Sequence, residues 1–260
     1  WRSSNGEDWT EVVTDGFGDV NNGVATFAVF DGMLYASTWN GVTGTEIWRT
    51  TDGMNWDQFG QDGIDGDAYN GGAIASAEFG GYLYWGVDNW TTTGAEIWRT
   101  DGTTWTKMIE NGFGDPNNDA VSALSDFNGF LYASLLNDST VQVWRSSNGA
   151  ELTQVVNGDI GSSDLHGISG LEVYNDRLYL VMQNDVTGLE VWQTLNGTNW
   201  EQIGFAGFGD SNNHLSYWGN AQTVFKDKLF ISTNNFATGG EIWSLSLPPL
   251  DKIYLPLITR

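Results

Sequence analysis

Short apolar runs separated by turn signals recur along the whole chain. The first complete copy has four strand-like runs, at 24–30, 33–39, 46–50 and 56–59. Asp31-Gly32 separates the first two runs, and Asp52-Gly53 separates the last two. Both dipeptides are typical of β-hairpins, and no run has helical periodicity. The pattern therefore predicts units of four antiparallel strands.

One tryptophan marks the third strand of every unit. It recurs at Trp48, Trp98, Trp144, Trp192 and Trp243, with an extra copy at Trp1. The period is about 48 residues, a length typical of propeller blades. We predict an all-β fold, a five-bladed β-propeller of four-stranded antiparallel blades, over residues 1–246. The predicted blades span about 24–59, 73–109, 120–156, 167–203, and 221–246 plus 9–13.

The two ends of the chain depart from the repeat. The last unit has three strands, so residues 9–13 are predicted to complete it and close the ring. Trp1–Ser4 then duplicates the third strand at 241–244, and one copy must be displaced or pair with a neighbouring molecule. The tail at 247–260 is foreign to the repeat and is expected to pack on the ring or to mark an attachment point. Self-assembly through Trp1–Ser4 and this tail is a predicted partner interaction.

Charge narrows the choice of partners. The chain has 33 acidic and 10 basic residues, a net charge of −23, which disfavours nucleic acid and anionic membranes. It has no cysteine, which excludes disulfides and thiolate chemistry. No apolar run approaches the roughly 20 residues of a spanning helix, so the chain is not predicted to be transmembrane. We expect an extracellular or cell-surface protein, made with a leader that this chain lacks.

Strand direction predicts that one face of the propeller has tight turns and the other has the long polar loops. Gly-Phe-Gly-Asp-x-Asn-Asn recurs on this loop face at 16–22, 112–118 and 207–213. Its oxygens suit calcium, sugar hydroxyls, or the backbone amides of the loop itself. If the cofactor is calcium, the candidate ligands are Asp19, Asn21, Asn22, Asp115, Asn117, Asn118, Asp210, Asn212 and Asn213.

A second loop motif is an asparagine followed by Thr-Gly-x-Glu, with an aromatic residue beside it. Aromatic rings can stack on sugars while amides and carboxylates bind hydroxyls. The third blade has Gln142 in place of the glutamate, which favours a structural role for this position. The candidate ligand-binding residues are Trp39, Asn40, Glu46, Asn89, Trp90, Glu96, Asn184, Glu190, Asn234, Phe236 and Glu241.

Catalytic groups are sparse in the sequence. Glycosidases need two facing carboxylates, and the predicted innermost strands offer Glu78, Asp126 and Glu172 at positions that are not all equivalent. The two histidines lie in loops and lack the further ligands of a metal centre. We predict no catalytic residue and no enzyme activity.

The Asp-Gly-x-x-Trp hairpin at Asp52–Trp56 resembles a shortened Asp-box, the repeat of sialidase-like (BNR) propellers. The whole unit, with its Thr-Gly-x-Glu-Ile-Trp-Arg-Thr strand, is similar to repeats of secreted bacterial propeller proteins. In blade number it resembles tachylectin-2, a five-bladed lectin, without a shared binding motif. These resemblances imply the propeller fold and secretion.

The resulting functional prediction is an extracellular or cell-surface module that recognises carbohydrate or a protein partner through the loop face. One alternative is a structural subunit of a surface layer or filament. A second alternative is a glycoside hydrolase of the sialidase-like or five-bladed type.

Overall fold

The computed structural model describes residues 1–23, 26–90, 93–137, 139–158, 160–161, 165–215 and 222–245. The predicted tail at 247–260 lies outside these residues. No helix within them is both long and apolar enough to span a membrane.

The described strands form five antiparallel sheets, which are the blades. The first blade comprises β1 (Thr26–Phe30), β2 (Met33–Ser37), β3 (Ile47–Thr50) and β4 (Asp57–Gln58). The second comprises β5 (Gly72–Phe79), β6 (Tyr82–Asp88), β7 (Glu96–Thr100) and β8 (Trp105–Ile109). The third comprises β9 (Ala120–Phe127), β10 (Phe130–Leu136), β11 (Gln142–Ser146) and β12 (Thr153–Asn157). The fourth comprises β13 (Leu165–Tyr174), β14 (Arg177–Asn184), β15 (Glu190–Thr194) and β16 (Glu201–Ile203). The fifth comprises β17 (Gln222–Phe225), β18 (Lys228–Ser232) and β19 (Ile242–Leu245).

Helical structure in the described residues is limited to single turns. The turns Asp15–Gly18, Asn111–Gly114 and Ala206–Gly209 fall on the three Gly-Phe-Gly-Asp motifs, and α1 (Gly63–Gly66) occupies the matching place in another loop. Each contains left-handed residues, among them Phe17 at φ 65° and Ile64 at φ 71°. The motif therefore forms a tight loop between one blade and the next.

The hairpin between the third and fourth strands is closed by a side chain. In the first blade, Asp52 Oδ1 accepts hydrogen bonds from the N–H groups of Met54 and Asn55, both at 2.8 Å. The Thr50 hydroxyl accepts the Gly53 N–H at 2.9 Å. These bonds hold the pKa of Asp52 below its usual range. The repeated Asp-Gly or Asn-Gly signal thus specifies a turn whose N–H groups bond side chains.

The apolar core lies between blades. The described residues form four buried clusters, and each joins two consecutive blades. In the first interface, Phe30 and Ile47 of one blade pack against Leu83 and Trp85 of the next. The first strands β1, β5, β9, β13 and β17 contact one another in that order. The predicted all-β, five-bladed propeller is confirmed.

The predicted closure of the ring by residues 9–13 is not found among the described pairings. Thr10 pairs with Arg2 instead, through two backbone hydrogen bonds of 2.8 Å, and the fifth sheet has three described strands. The Arg2 guanidinium donates to the Asp52 carbonyl, as Arg49 does to that of Gly102 one blade further on. Residues 1–10 therefore form a hairpin that contacts the first blade through Arg2.

Candidate functional site

The repeated glutamate of the loop face bonds to the repeated tryptophan. Glu46 Oε2 accepts the indole N–H of Trp48 at 2.8 Å and the amide of Asn22 at 2.9 Å. The same acceptor-to-indole bond recurs in the other blades: Glu96–Trp98, Gln142–Trp144, Glu190–Trp192 and Glu241–Trp243. Gln142 supplies the same oxygen as the glutamates, so this position needs an acceptor and not a charge.

The Gly-Phe-Gly-Asp loops form a hydrogen-bonded network with the second motif. Asp19 accepts the backbone and side-chain N–H groups of Asn21 and the amide of Asn40. Asn22 donates to the Gly16 carbonyl at 2.7 Å. Backbone bonding lowers the pKa of Asp19, and that of Asp210 in the matching loop. Equivalent internal bonds are made by Asp115, Asn117, Asn118, Asn212 and Asn213.

The predicted ligand-binding residues divide by exposure. Their polar members are mostly buried in this network: Asn40, Glu46, Asn89, Glu96, Asn184 and Glu190. The aromatic members are exposed, Trp39 by 43%, Trp90 by 50% and Phe236 by 93%. In the fifth blade the network asparagine is Asn235, the neighbour of the predicted Asn234, and it donates to Asp210 and Asn213. Ligand binding by this set stays a prediction.

Within the described residues, no group of three or more His, Asp or Glu side chains is arranged to hold a metal ion. The proposed calcium ligands remain a prediction.

Asp88 is the residue of the loop face that departs from the repeat. It ends β6, directly before Asn89, where the other blades have Trp39, Leu136, Gln183 and Asn234. Its side chain is buried, and it accepts the backbone N–H of Gly72 and hydrogen bonds from Trp39 and Trp90. Burial raises its pKa to about 6, against the lowering effect of these three bonds.

Glycine lets the chain pass close to this carboxyl. A Cβ at Gly72 would lie 2.8 Å from Trp39 Cδ1 and 2.9 Å from Asp88 Oδ2. Gly72 begins the inner strand β5, so Asp88 lies on the loop face beside the inner strand of its blade. Two half-exposed indoles and one buried carboxyl thus form a single cluster that spans the first and second blades.

Other polar groups lie on the loop face of the other blades, where first strands begin or second strands end. The Asp119 carbonyl accepts the Asn89 N–H at 2.8 Å, one residue from Asp88. In the fourth blade, Gln183 bonds to His214 Nδ1 and accepts the N–H of Leu215 at 2.7 Å. The loop face therefore has acidic, amide and imidazole groups near its inner strands, and none of these is among the site residues predicted from the sequence.

The inner-strand carboxylates lie elsewhere. Glu78 pairs with Leu83 and Asp126 with Leu131, one position from the tight turns, and both side chains are exposed. Glu172 is half-buried, and burial raises its pKa. The register places these residues at the turn-face ends of their strands, opposite to Asp88. The sequence does distinguish Asp88, because no other blade has a carboxylate at this position of the repeat.

Comparisons with known proteins establish the fold alone. A thermostable family-43 glycoside hydrolase superposes with a TM-score of 0.50 and 11% identity, covering 88% of this chain and 90% of that chain. A GH43 endo-arabinanase from Bacillus licheniformis gives 0.49 and 15%, with coverages of 85% and 92%. An arabinanase of Bacillus subtilis gives 0.47 and 12%, with coverages of 85% and 93%. No protein-family model matches the chain, and no curated protein matches it.

The leading functional prediction, a carbohydrate- or protein-binding module, is wrong in the light of these comparisons. A solved structure that shares the fold with a TM-score of 0.50 is a glycoside hydrolase, and the glycoside hydrolase alternative is taken up below as a proposal. Enzyme activity is compatible with this fold. The acids that the sequence offers on the innermost strands are not at equivalent positions, whereas Asp88 ends a second strand.

Proposed function

We propose that this protein is a glycoside hydrolase whose reaction takes place on the loop face, at the cluster of Asp88, Trp39 and Trp90. The observation that supports it is the raised pKa of Asp88, about 6, in a buried carboxyl held by two half-exposed indoles. A general acid for glycosidic cleavage needs a carboxyl that keeps its proton near neutral pH, and burial provides this.

Each side chain of the cluster has a distinct role. The indoles of Trp39 and Trp90 stack on the sugar rings, because they offer apolar faces at the surface while their N–H groups are bound to Asp88. Since they cover the carboxyl, the substrate reaches Asp88 by parting the two rings. Asp88 then gives its proton to the glycosidic oxygen as the bond to the anomeric carbon breaks.

The second carboxyl of the reaction is assigned to Asp119. Its backbone is bonded to Asn89, the neighbour of Asp88, and its side chain is half-buried. Asp119 removes a proton from a water molecule whose oxygen bonds to the anomeric carbon. Proton exchange with solvent restores both carboxyls, so one water is consumed for each bond cleaved.

Hydrolysis tests this proposal directly. Reducing-end release is measured on arabinan, β-1,2-mannan and a panel of neutral polysaccharides, with the wild type, Asp88→Asn and Asp119→Asn. We expect turnover by the wild type that falls at least 100-fold in each variant, and a wild-type rate that declines as pH rises past about 6. Asp176→Asn, an exposed turn substitution, is the control. No turnover by the wild type, or equal turnover by Asp88→Asn, would overturn the proposal.

We also propose that the protein acts outside the cell or at its surface. The acidic composition and the absence of cysteine are compatible with this location. Recovery of the protein in the medium or the surface fraction of its source would support the proposal, and recovery in the cytoplasm would contradict it.

A further inference from the structure

The fifth blade has an exposed apolar face that is buried in every other blade. Ile242 on β19 is 78% exposed, whereas its counterparts Ile47, Ile97, Val143 and Val191 are at most 3% exposed. The pairings Ser232–Ile242 and Ser37–Ile47 show that these positions are equivalent. In the other blades this residue packs against the blade that follows.

A second position of the same face behaves in the same way. Phe225 at the end of β17 is 58% exposed. The aromatic residues that end the first strands of the other blades are at most 9% exposed: Phe30, Phe79, Phe127 and Tyr174. Ile242 and Phe225 thus define a trailing face, which no described part of this chain covers.

The first blade has the complementary exposed face. Phe27 on β1 is 61% exposed, whereas its counterparts in the third and fourth blades, Leu124 and Leu171, are 6% and 5% exposed and pack against the preceding blade. The equivalence follows from the pairings of these residues with Ala36, Ala133 and Leu180. The N-terminal hairpin adds Trp1 and Trp9, exposed by 70% and 57%. Phe27 and this hairpin define the leading face.

We propose that the trailing face of one copy binds the leading face of a second copy, head to tail. A trailing face and a leading face form the two sides of each of the four interfaces between consecutive blades. The exposed trailing face of the fifth blade is therefore expected to be complementary to the exposed leading face of the first. Each face is exposed in the chain, so the two do not cover each other within one copy. Such a contact is heterologous and leads to a ring or an open chain of copies.

The net charge of the chain predicts how association between copies depends on salt. Each copy has a net charge of −23, so copies repel one another and the apolar contact must overcome that repulsion. Salt screens the repulsion without weakening apolar burial. Association between copies is therefore stronger in high salt than in low salt.

Sedimentation velocity of the full chain, over a range of concentrations at 20 and 500 mM NaCl, tests the proposal. We expect species larger than the monomer, enriched in high salt. Ile242→Asp blocks the trailing face and Phe27→Asp the leading face, and each is expected to weaken association at least tenfold. Val186→Asp, at a loop residue 64% exposed, is the matched control and should associate as the wild type does.

Mixing the two variants tests the direction of the contact. Ile242→Asp keeps its leading face and Phe27→Asp keeps its trailing face, so together they should form one-to-one dimers and nothing larger. Circular dichroism of each variant establishes that it is folded. A wild type that stays monomeric at every concentration and salt, association that neither substitution weakens, or a mixture that fails to form dimers would each overturn the proposal.

Discussion

The ionisation of Asp88 is controlled by two opposing effects at one carboxyl. Burial disfavours the charged form, and bonds from Gly72 and two indoles favour it; burial prevails, since the pKa is raised to about 6. Surface carboxylates of the same chain behave in the opposite way. Asp101 accepts bonds from Thr103 and Thr104 while exposed, and these lower its pKa to about 2.

The raised pKa of Asp88 predicts a pH-dependent stability. The folded carboxyl holds its proton up to about pH 6 and the unfolded one up to about pH 3.8, so the folded state loses stability as pH rises between these values. The loss is on the order of 3 kcal/mol. Urea unfolding at intervals from pH 4 to 7 should show this decline for the wild type, and a smaller decline for Asp88→Asn.

The comparison between variants isolates Asp88, because other groups such as Glu172 contribute equally to both proteins. Asp176→Asn should leave the wild-type decline unchanged, since Asp176 is exposed in a turn. Parallel stability curves for the wild type and Asp88→Asn would contradict the assigned protonation.

Single residues were predictable from the sequence only where the repeat constrains them. The substitution of Gln142 for glutamate indicated a structural acceptor, and the structure places an indole N–H of Trp144 on its oxygen at 3.1 Å. Asp88 was missed because its burial depends on Trp39 of the preceding blade and on the close approach of Gly72. Such contacts between blades cannot be derived from spacing along one strand.

At the scale of elements, contacts between loops of successive blades depend on glycine. A Cβ at Gly188 would lie 2.7 Å from Gly207 Cα and 2.9 Å from the Asn213 carbonyl oxygen. The equivalent glycines behave in the same way: a Cβ at Gly44 would lie 2.8 Å from Gly63 Cα, and a Cβ at Gly94 would lie 2.9 Å from Gly112 Cα. In the first, second and fourth blades, the Thr-Gly-x-Glu loop is therefore packed, backbone against backbone, on the loop that leads into the next blade.

We predict that Gly188→Ala destabilises the protein by roughly 3 kcal/mol or more, because backbone atoms cannot move aside and φ is 88°. Gly209→Ala is the matched control. Its φ is 98°, but no atom lies within 4 Å of its Cβ, so the substitution should cost only about 1 kcal/mol of left-handed strain. Urea unfolding of both variants separates packing from strain. Equal losses would show that the close approach of the two loops is unimportant.

Most strands were predictable because turn dipeptides such as Asp31-Gly32 and Asn128-Gly129 lie between them, and because the repeated tryptophan marks the third strand of each blade. The pairing at the chain ends was not, because Trp1–Ser4 and Glu241–Ser244 have the same pattern and compete for the same place. The N-terminal hairpin contacts the first blade through a bond from Arg2 to the Asp52 carbonyl, and this contact crosses 50 residues of sequence.

At the scale of the whole molecule, stability comes from interfaces between neighbouring blades. Each of the four buried clusters joins one blade to the next, as in other repeat architectures. The described acidic residues lie mostly on the surface, and two ion pairs are formed within the described part of the chain, both by Lys107. The apolar interfaces therefore hold the molecule together against its own charge.

This balance predicts that salt stabilises the fold. With a net charge of −23, raising NaCl from 10 to 300 mM should raise the thermal midpoint by several degrees, as screening reduces self-repulsion.

Calcium and magnesium chlorides at equal ionic strength then test the predicted calcium ligands of the Gly-Phe-Gly-Asp loops. Ordinary screening by divalent ions raises the midpoint equally for both, whereas calcium bound at Asp19, Asp115 or Asp210 would add a saturable rise for calcium alone. Asp210→Asn should reduce that rise and leave the NaCl response unchanged. A midpoint that does not respond to NaCl would contradict the charge argument, and identical curves for the two divalent ions would contradict calcium binding.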